Sequence, residues 1–410
     1  MVVENCRSSR PWKFSLQTGV PRAYSAAPDS SLLLMPELHV SIACGGTGGH
    51  LFPGIAVAET LRRRGHRVML ILSEKKIDAV AVAGRERDFR IETLPSVGLP
   101  SPLLSPRLIT FGTGMIASVR RCRSLFRDFQ PQAVVGMGGF TSTAPMVAGR
   151  MMGKETFVHE SNAIPGKANK LNARLANVVL LGFAECARHF PNAAPSVVTG
   201  TPIRESLHTP VDRTMALASF GFDPAVEAAT LLVMGGSQGA RGVNQAVTRA
   251  LPQWKASGRA WRFIHQTGPN DVDFVREAYA KEGLAAYVCE FHPEMQNAYA
   301  LADLAIARAG AATLTELSHF GVPSILVPFP FAAEDHQTLN AQIFVRAGAA
   351  LMLKESGIDQ YLPELALELL KSTEKRLALG AAARKLAPTD AAALVADTIE
   401  KYCLRTNPTA

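Results

Sequence analysis

Three short runs of glycine carry the first chemical hint in this chain: Gly45-Gly-Thr-Gly-Gly-His50, Gly136-Met-Gly-Gly139 and Gly235-Gly-Ser-Gln-Gly239. Each follows a short apolar run and precedes a stretch with helical spacing. Glycine there lets a strand turn sharply into a helix, and it lets backbone N–H groups approach a ligand oxygen that a side chain would hold off. The start of the helix adds partial positive charge, so such loops suit phosphate. His50 closes the first run with an imidazole, the side chain that exchanges a proton near neutral pH. It is either a base facing a cleft or a structural histidine beside the turn. Glu160, near the polar end of Thr156-Phe-Val-His-Glu-Ser-Asn162, is a second candidate for proton transfer or hydrogen bonding. Asp271-Val-Asp273 has the letters of a metal-holding Asp-x-Asp, yet it follows Gly268-Pro269-Asn270 and leads into the helical run Phe274 to Ala280. Acidic residues favour a first helical turn, so the expectation is a helix start and no metal held by the protein.

The elements that must position these residues repeat. A strand over Leu38 to Ile42 enters the first glycine run and a helix over Ile55 to Arg64 leaves it; a strand over Thr230 to Met234 and a helix over Val243 to Leu251 flank the third. In the second half Ala302 to Arg308 reads as a strand, Ala309-Gly310 as a turn, and Thr313 to Phe320 as a helix whose first turn carries Thr315 and Glu316; Gly321 to Pro328 supplies another strand. Alternation of this kind predicts an α/β fold of two Rossmann-like domains, each with a parallel sheet covered on both faces, facing a cleft. The expected boundaries are a disordered extension over 1–36, a first domain over 37–203, a second over 204–385, and a C-terminal helix within 386–410 that returns to the first. Neither flanking loop completes a dinucleotide fingerprint, because Glu74 comes late and beside Lys75 and Lys76. That argues against a nicotinamide oxidoreductase.

With 410 residues, 47% of them hydrophobic and 19% charged, the chain can fill two domain cores. No apolar run reaches the length of a membrane span. The net charge of +8 favours an anionic partner: nucleic acid, an anionic lipid surface or a phosphorylated substrate. Nucleic acid is the weakest of the three, since no clustered aromatic and basic motif is present. Six scattered cysteines without a CxxC pair indicate neither a zinc site nor a disulfide framework, and suit a reducing cytoplasm.

Taken in order, Gly45-Gly-Thr-Gly-Gly-His50, Gly136-Met-Gly-Gly139, His159-Glu-Ser-Asn162, Gly200-Thr-Pro-Ile-Arg204, Gly235-Gly-Ser-Gln-Gly-Ala240, Arg308-Ala-Gly-Ala-Ala-Thr-Leu-Thr-Glu316 and His336-Gln-Thr-Leu-Asn340 resemble one family. It is the family of bacterial transferases that add N-acetylglucosamine to the undecaprenyl-pyrophosphoryl-muramyl-pentapeptide, converting lipid I to lipid II in peptidoglycan synthesis. The resemblance runs from about Val40 to the C-terminus. It implies a GT-B architecture and an inverting transfer from UDP-N-acetylglucosamine to the muramyl 4-hydroxyl. It also implies a peripheral place on the cytoplasmic face of the cell membrane.

For single residues the resemblance implies that Thr47, Gly48 and Gly49 lie against the donor's sugar and phosphates, with Asn162 and Arg204 completing that side. Ser237 would bind diphosphate, Glu316 the ribose hydroxyls, and Gln337 the sugar hydroxyls, while Ala311, Ala312, Thr313, Leu314 and Thr315 pass along the nucleotide. A carboxylate accepts from two vicinal hydroxyls and an amide both donates and accepts, so the residue types suit these roles. On local sequence Glu316 is equally a capping-type residue and Gln337 a solvated loop residue. The chain departs from the family pattern at Ser161, Thr201 and His292, where Gln, Asn and an apolar residue are usual; Phe291-His292 is the candidate edge for the base. His50 gains support as the base. No cofactor is expected, and free magnesium is compatible with the nucleotide. The acceptor is a lipid, and Leu103-Leu104, Leu108-Ile109, Phe111 and Met115-Ile116 stand among Arg107, Arg120, Arg121, Arg123 and Arg127. That segment is either a packed helix with a solvated basic end or a docking face for an anionic membrane. A UDP-sugar epimerase and a non-catalytic UDP-sugar-binding protein are the competing readings.

Overall fold

The computed structural model describes residues 36–95, 107–191, 194–236 and 239–406. The extension before residue 36, the Leu103-Leu104 pair and Ser237 therefore lie outside the described residues.

The first domain is a seven-stranded parallel sheet of β1 (His39–Ala43), β2 (Arg67–Ser73), β3 (Arg90–Leu94), β4 (Ala133–Gly136), β5 (Glu155–Glu160), β6 (Val178–Leu181) and β7 (Ser196–Val198), in the order β3-β2-β1-β4-β5-β6-β7. Its crossovers contain α1 (Gly48–Arg63), α2 (Lys76–Val82), α3 (Arg107–Phe129), α4 (Thr143–Met151) and α5 (Lys167–Asn172). Val40, Ile42, Leu70 and Val135 point to one face and meet Leu51, Ile55 and Leu61 of α1. Ala43, Met69, Ile71 and Val134 point to the other and meet Phe126 of α3 and Met146 of α4. Burial on both faces explains why these strands read as unbroken apolar runs rather than alternating ones.

The second domain repeats the plan. After α6 (Arg213–Ser219) come β8 (Ala229–Met234), α7 (Arg241–Ala256), β9 (Trp261–Gln266), α8 (Val272–Glu282), β10 (Ala285–Cys289), α9 (Met295–Leu301) and β11 (Leu304–Ala307). Then follow α10 (Ala311–Phe320), β12 (Ser324–Leu326), α11 (His336–Arg346), β13 (Leu351–Met352), α12 (Ile358–Lys371), α13 (Thr373–Leu386) and α14 (Ala391–Thr406). The sheet order β10-β9-β8-β11-β12-β13 matches that of the first six strands of the first sheet, and both are entirely parallel. In each sheet the connection reverses direction beside the central strand, between β1 and β4 and between β8 and β11. Crevices at such switch points, outside the carboxyl ends of the strands, are where ligands bind. The glycine runs lie there.

Two segments join the domains. Gly200 at φ +76 passes so close to Pro388 that a Cβ would sit 2.5 Å from the proline ring. Beyond Pro388, α14 leaves the second domain and packs Val395, Ala396 and Ile399 into the α1 side of the first core. Arg64 binds Asp397 at 2.6 Å and Glu400 at 2.9 Å, and buried His66 meets Glu400 at 2.9 Å, so the return is fixed by charge as well as by packing.

Candidate active site

The first glycine run is already helical at Gly48, so α1 points its N-terminus at the cleft with no side-chain cap and no acid in its first turn. Its unpaired N–H groups and dipole are open to an anion. Thr47 is the exposed residue before the helix, Gly48 is buried and Gly49 exposed. His50 lies flat on the second glycine run: a Cβ on Gly138, at φ +122, would fall 2.6 Å from its Nε2. Nδ1 is 3.1 Å from the Thr47 hydroxyl. When Nδ1–H donates to that hydroxyl, Nε2 keeps its lone pair. Burial pushes His50 down to about 4, with His159, His336 and Lys75 acting the same way and Asp78 opposing. The imidazole is therefore neutral at physiological pH.

Glu160 ends β5 and is buried. One carboxylate oxygen accepts from Asn162 N at 2.8 Å and Asn162 Nδ2 at 3.1 Å, the other from Gly166 N and Asn169 Nδ2, both at 3.0 Å. Burial raises its pKa while these donors lower it. With four donors on two oxygens the carboxylate shapes the 161–166 loop, so of the two roles expected for it, proton transfer or hydrogen bonding, the geometry shows the hydrogen bonding. Its neighbour His159 is pushed down to about 4 by burial and is spent on Gly200 O and Ser161 Oγ. Asn162 in turn accepts from Asn340 Nδ2 of α11 at 3.0 Å. Asn340 is fully buried; it also accepts from Ala163 N at 2.9 Å and donates to Ala309 O at 3.1 Å, so one amide ties the two domains together.

Across the cleft, α10 also starts uncapped after Gly310. It begins at Ala311, two residues before the expected start, which moves Thr315 and Glu316 to its second turn. Thr315 donates to Ala311 O at 3.0 Å, and the Leu314 side chain is sealed in the core, so Leu314 offers a nucleotide only its backbone. Glu316 accepts from the Tyr299 hydroxyl at 2.6 Å through one oxygen. Burial raises its pKa, against Arg204 and Tyr299, which favour the ionised form. Gln337 accepts from Ala309 N at 3.3 Å and Phe329 N at 3.0 Å, so its carbonyl oxygen is engaged and its NH₂ is the donor end. Arg204 stacks on Phe52 of α1, 4.4 Å from the ring centre, and donates to Pro293 O at 3.3 Å; its Nε is buried without a partner. Phe52 also stacks on Phe291 at 6.3 Å.

The His292 N–H expected at the base edge already donates to Gln266 Oε1 at 3.1 Å, so in this state that backbone donor is engaged within the protein. Ser161 and Thr201, the other departures, are both buried against Gly182, where a Cβ would meet Ser161 O at 2.5 Å and Thr201 Oγ1 at 2.6 Å. Those two substitutions therefore sit in packing behind the cleft wall. Asp271 precedes α8 and accepts from Asn244 at 2.8 Å, while Asp273 pairs with Arg276 on the surface. Among the described residues no three His, Cys, Asp or Glu side chains are placed to hold a metal.

The glycosyltransferase family 28 N-terminal domain matches residues 40–181 and the family's C-terminal domain matches residues 230–398. A relative from Myxococcus xanthus is 39% identical over 359 residues, covering 83% of this chain and 88% of its own length. It is named as the UDP-N-acetylglucosamine–N-acetylmuramyl-(pentapeptide) pyrophosphoryl-undecaprenol N-acetylglucosamine transferase. The chain belongs to glycosyltransferase family 28 and, within it, to the MurG transferases. The crystal structure of Acinetobacter baumannii MurG superposes with a TM-score of 0.68 at 27% identity, covering 89% of this chain and all of that one. The GT-B architecture of two facing α/β domains follows. A putative UDP-N-acetylglucosamine 2-epimerase from Listeria monocytogenes reaches a TM-score of 0.66 at 15% identity, a likeness of fold alone. The epimerase reading is not favoured.

Four residues that hold the site's groups in place had no signal for that role in the sequence: Phe52, Asp78, Tyr299 and Asn340. Asn340 at least ends the His336-Gln-Thr-Leu-Asn340 motif. The others act on neighbours brought near only by folding.

Proposed function

We infer that this MurG transferase moves N-acetylglucosamine from UDP-N-acetylglucosamine to the muramyl 4-hydroxyl of lipid I, with inversion, giving lipid II. The observation that carries the reading is one cleft holding neutral His50 on one wall and the Glu316, Gln337 and α10 N-terminus on the other. His336 of α11 acts through space on the His50 pKa, which supports placing the two walls at one site.

In this reading Glu316 takes the ribose hydroxyls with its free oxygen while Tyr299 holds the other. The Gln337 amide donates to the sugar. Departing diphosphate is met by the Ala311, Ala312 and Thr313 backbone, Ser237 and the Arg204 guanidinium, groups suited to the charge that develops. No protein-held metal or other cofactor is needed for that step, and free magnesium can accompany the nucleotide. His50 Nε2 accepts the proton as the acceptor oxygen attacks. Thr47, Gly48 and Gly49 lie against the donor's sugar and phosphates. Asn162, held by Glu160 and Asn340, completes that side with Arg204.

No described helix is long and apolar enough to cross a membrane. We place the protein peripherally on the cytoplasmic membrane face through α3, where Ile109 is 74% and Ile116 55% exposed on the same stripe as Thr113 and Arg120. An exposed apolar stripe with adjacent arginine suits anionic headgroups.

Release of UDP from UDP-N-acetylglucosamine, with and without a lipid I analogue, tests the transfer. Acceptor-dependent release with that donor, and not with UDP-glucose or UDP-N-acetylgalactosamine, is expected. Binding without release would replace the reading by a non-catalytic UDP-sugar binder.

A further inference from the structure

The segment joining β2 to α2 has no part in the scheme above. In a dinucleotide-binding sheet a carboxylate near the end of the second strand turns outward to a ribose. Here the carboxylate is Asp78, in the first turn of α2, and it turns inward. Its Oδ2 accepts from Gly46 N at 2.9 Å, Ser73 N at 2.9 Å and Ser73 Oγ at 2.6 Å. Lys75 Nζ donates to Gly46 O at 2.7 Å. One short segment thus grips Gly46 at both its N–H and its C=O. The fit admits no side chain: a Cβ on Gly45 would lie 2.2 Å from Ser73 N and 2.6 Å from Asp78 Oδ2, and Gly46 sits at φ +112. Asp78 is fully buried and its Oδ1 has no hydrogen-bond partner. Such burial of a carboxylate oxygen costs folding free energy. What it secures is the backbone from Gly45 to Thr47, and Thr47 is both the residue before α1 and the partner of His50.

We infer that Asp78 and Lys75 are positioning residues for transfer: they clamp the Gly46 peptide and thereby set Thr47 and, through its hydroxyl, His50 at the reacting centre. The inference rests on the reading of His50 as the acceptor-side base. Neither residue touches substrate. Both also act on His50 through space with opposite signs, Asp78 favouring the imidazolium and Lys75 opposing it. The other titratable groups facing the ring, His159 from β5 and His336 from α11, are the same in every variant considered.

The test compares wild type, Asp78→Asn and Lys75→Met by steady-state kinetics, UDP calorimetry and NMR titration of the labelled His50 ring. Expected are a fall in kcat of about tenfold or more for Asp78→Asn and a smaller fall for Lys75→Met, with UDP affinity held within about twofold. The His50 titration should move down in Asp78→Asn and up in Lys75→Met, by roughly half a pH unit each. Lys75 is exposed, so its variant reports even if Asp78→Asn fails to fold. Unchanged kcat in folded variants overturns the inference, as do His50 shifts that are absent or share one sign, because packing alone would then explain any loss. If wild type shows no acceptor-dependent UDP release, the transferase reading fails, and the NMR arm still reads the clamp.

Discussion

A histidine pushed down to about 4 stays unprotonated through the neutral range, and this bears directly on what His50 can do. The rate constant kcat/KM should be flat from about pH 6 to 8 and fall as the medium approaches pH 4, where the ring gains its proton. A profile breaking near 6.5 would mean an unperturbed histidine or another base. His50→Ala should lower kcat by about 10²- to 10⁴-fold while UDP-N-acetylglucosamine still binds, checked by calorimetry. On the opposite wall Glu316→Ala strands the Tyr299 hydroxyl as well as the ribose. A loss of about 1.5 to 3 kcal/mol in donor binding is expected, roughly a 10- to 100-fold rise in Kd. The residue types of His50, Glu316 and Gln337 announce their chemistry, because each offers a lone pair or donor suited to a ligand. Glu160 has the same type and a different use, since Asn162, Gly166 and Asn169 consume its oxygens. Sequence carries no sign of that consumption, because Gly166 and Asn169 lie across a loop and in the first turn of α5, nine residues on for Asn169.

At the scale of elements, the paired strand–glycine–helix units were legible because strands buried on both faces leave continuous apolar runs. Helix starts were not. α1 begins at Gly48 after Thr47, a capping-type residue whose hydroxyl meets His50 rather than a helix N–H, and α10 begins at Ala311 after Gly310 with no side-chain cap. The unmade caps leave N–H groups at both helix starts open to an anion. α3 gives a prediction of its own. Its lower half is anchored by Phe126 and Cys122, whereas Ile109 and Ile116 are turned outward. Ile109→Asp with Ile116→Asp should cut sedimentation with anionic vesicles about tenfold or more and leave UDP binding unchanged. Equal vesicle binding by the variant would place membrane contact elsewhere.

For the whole molecule, the domains are held by side-chain contacts as well as by chain: the hydrogen bonds of the Asn340 amide, the cation–π stack of Arg204 on Phe52 and the apolar Phe52–Phe291 stack. Stability should depend on pH through the buried histidines. His159 is pushed down to about 4 and His265 to about 3, both by burial, so the folded form holds them neutral. Their contribution is complete above the unfolded value near 6.5 and is lost as pH falls from there toward 4 and 3. Thermal unfolding at pH 5 should therefore begin at lower temperature than at pH 7, each of the two adding up to about 1.4 kcal/mol of destabilisation per pH unit within that window.

The return of α14 to the first core has a consequence for synthesis. Val395, Ala396 and Ile399 fill space beside α1 that nothing earlier in the chain occupies. A ribosome making this protein releases the whole second domain before supplying the last piece of the first. The first domain must wait half-finished, its apolar α1 flank uncovered, while its successor folds.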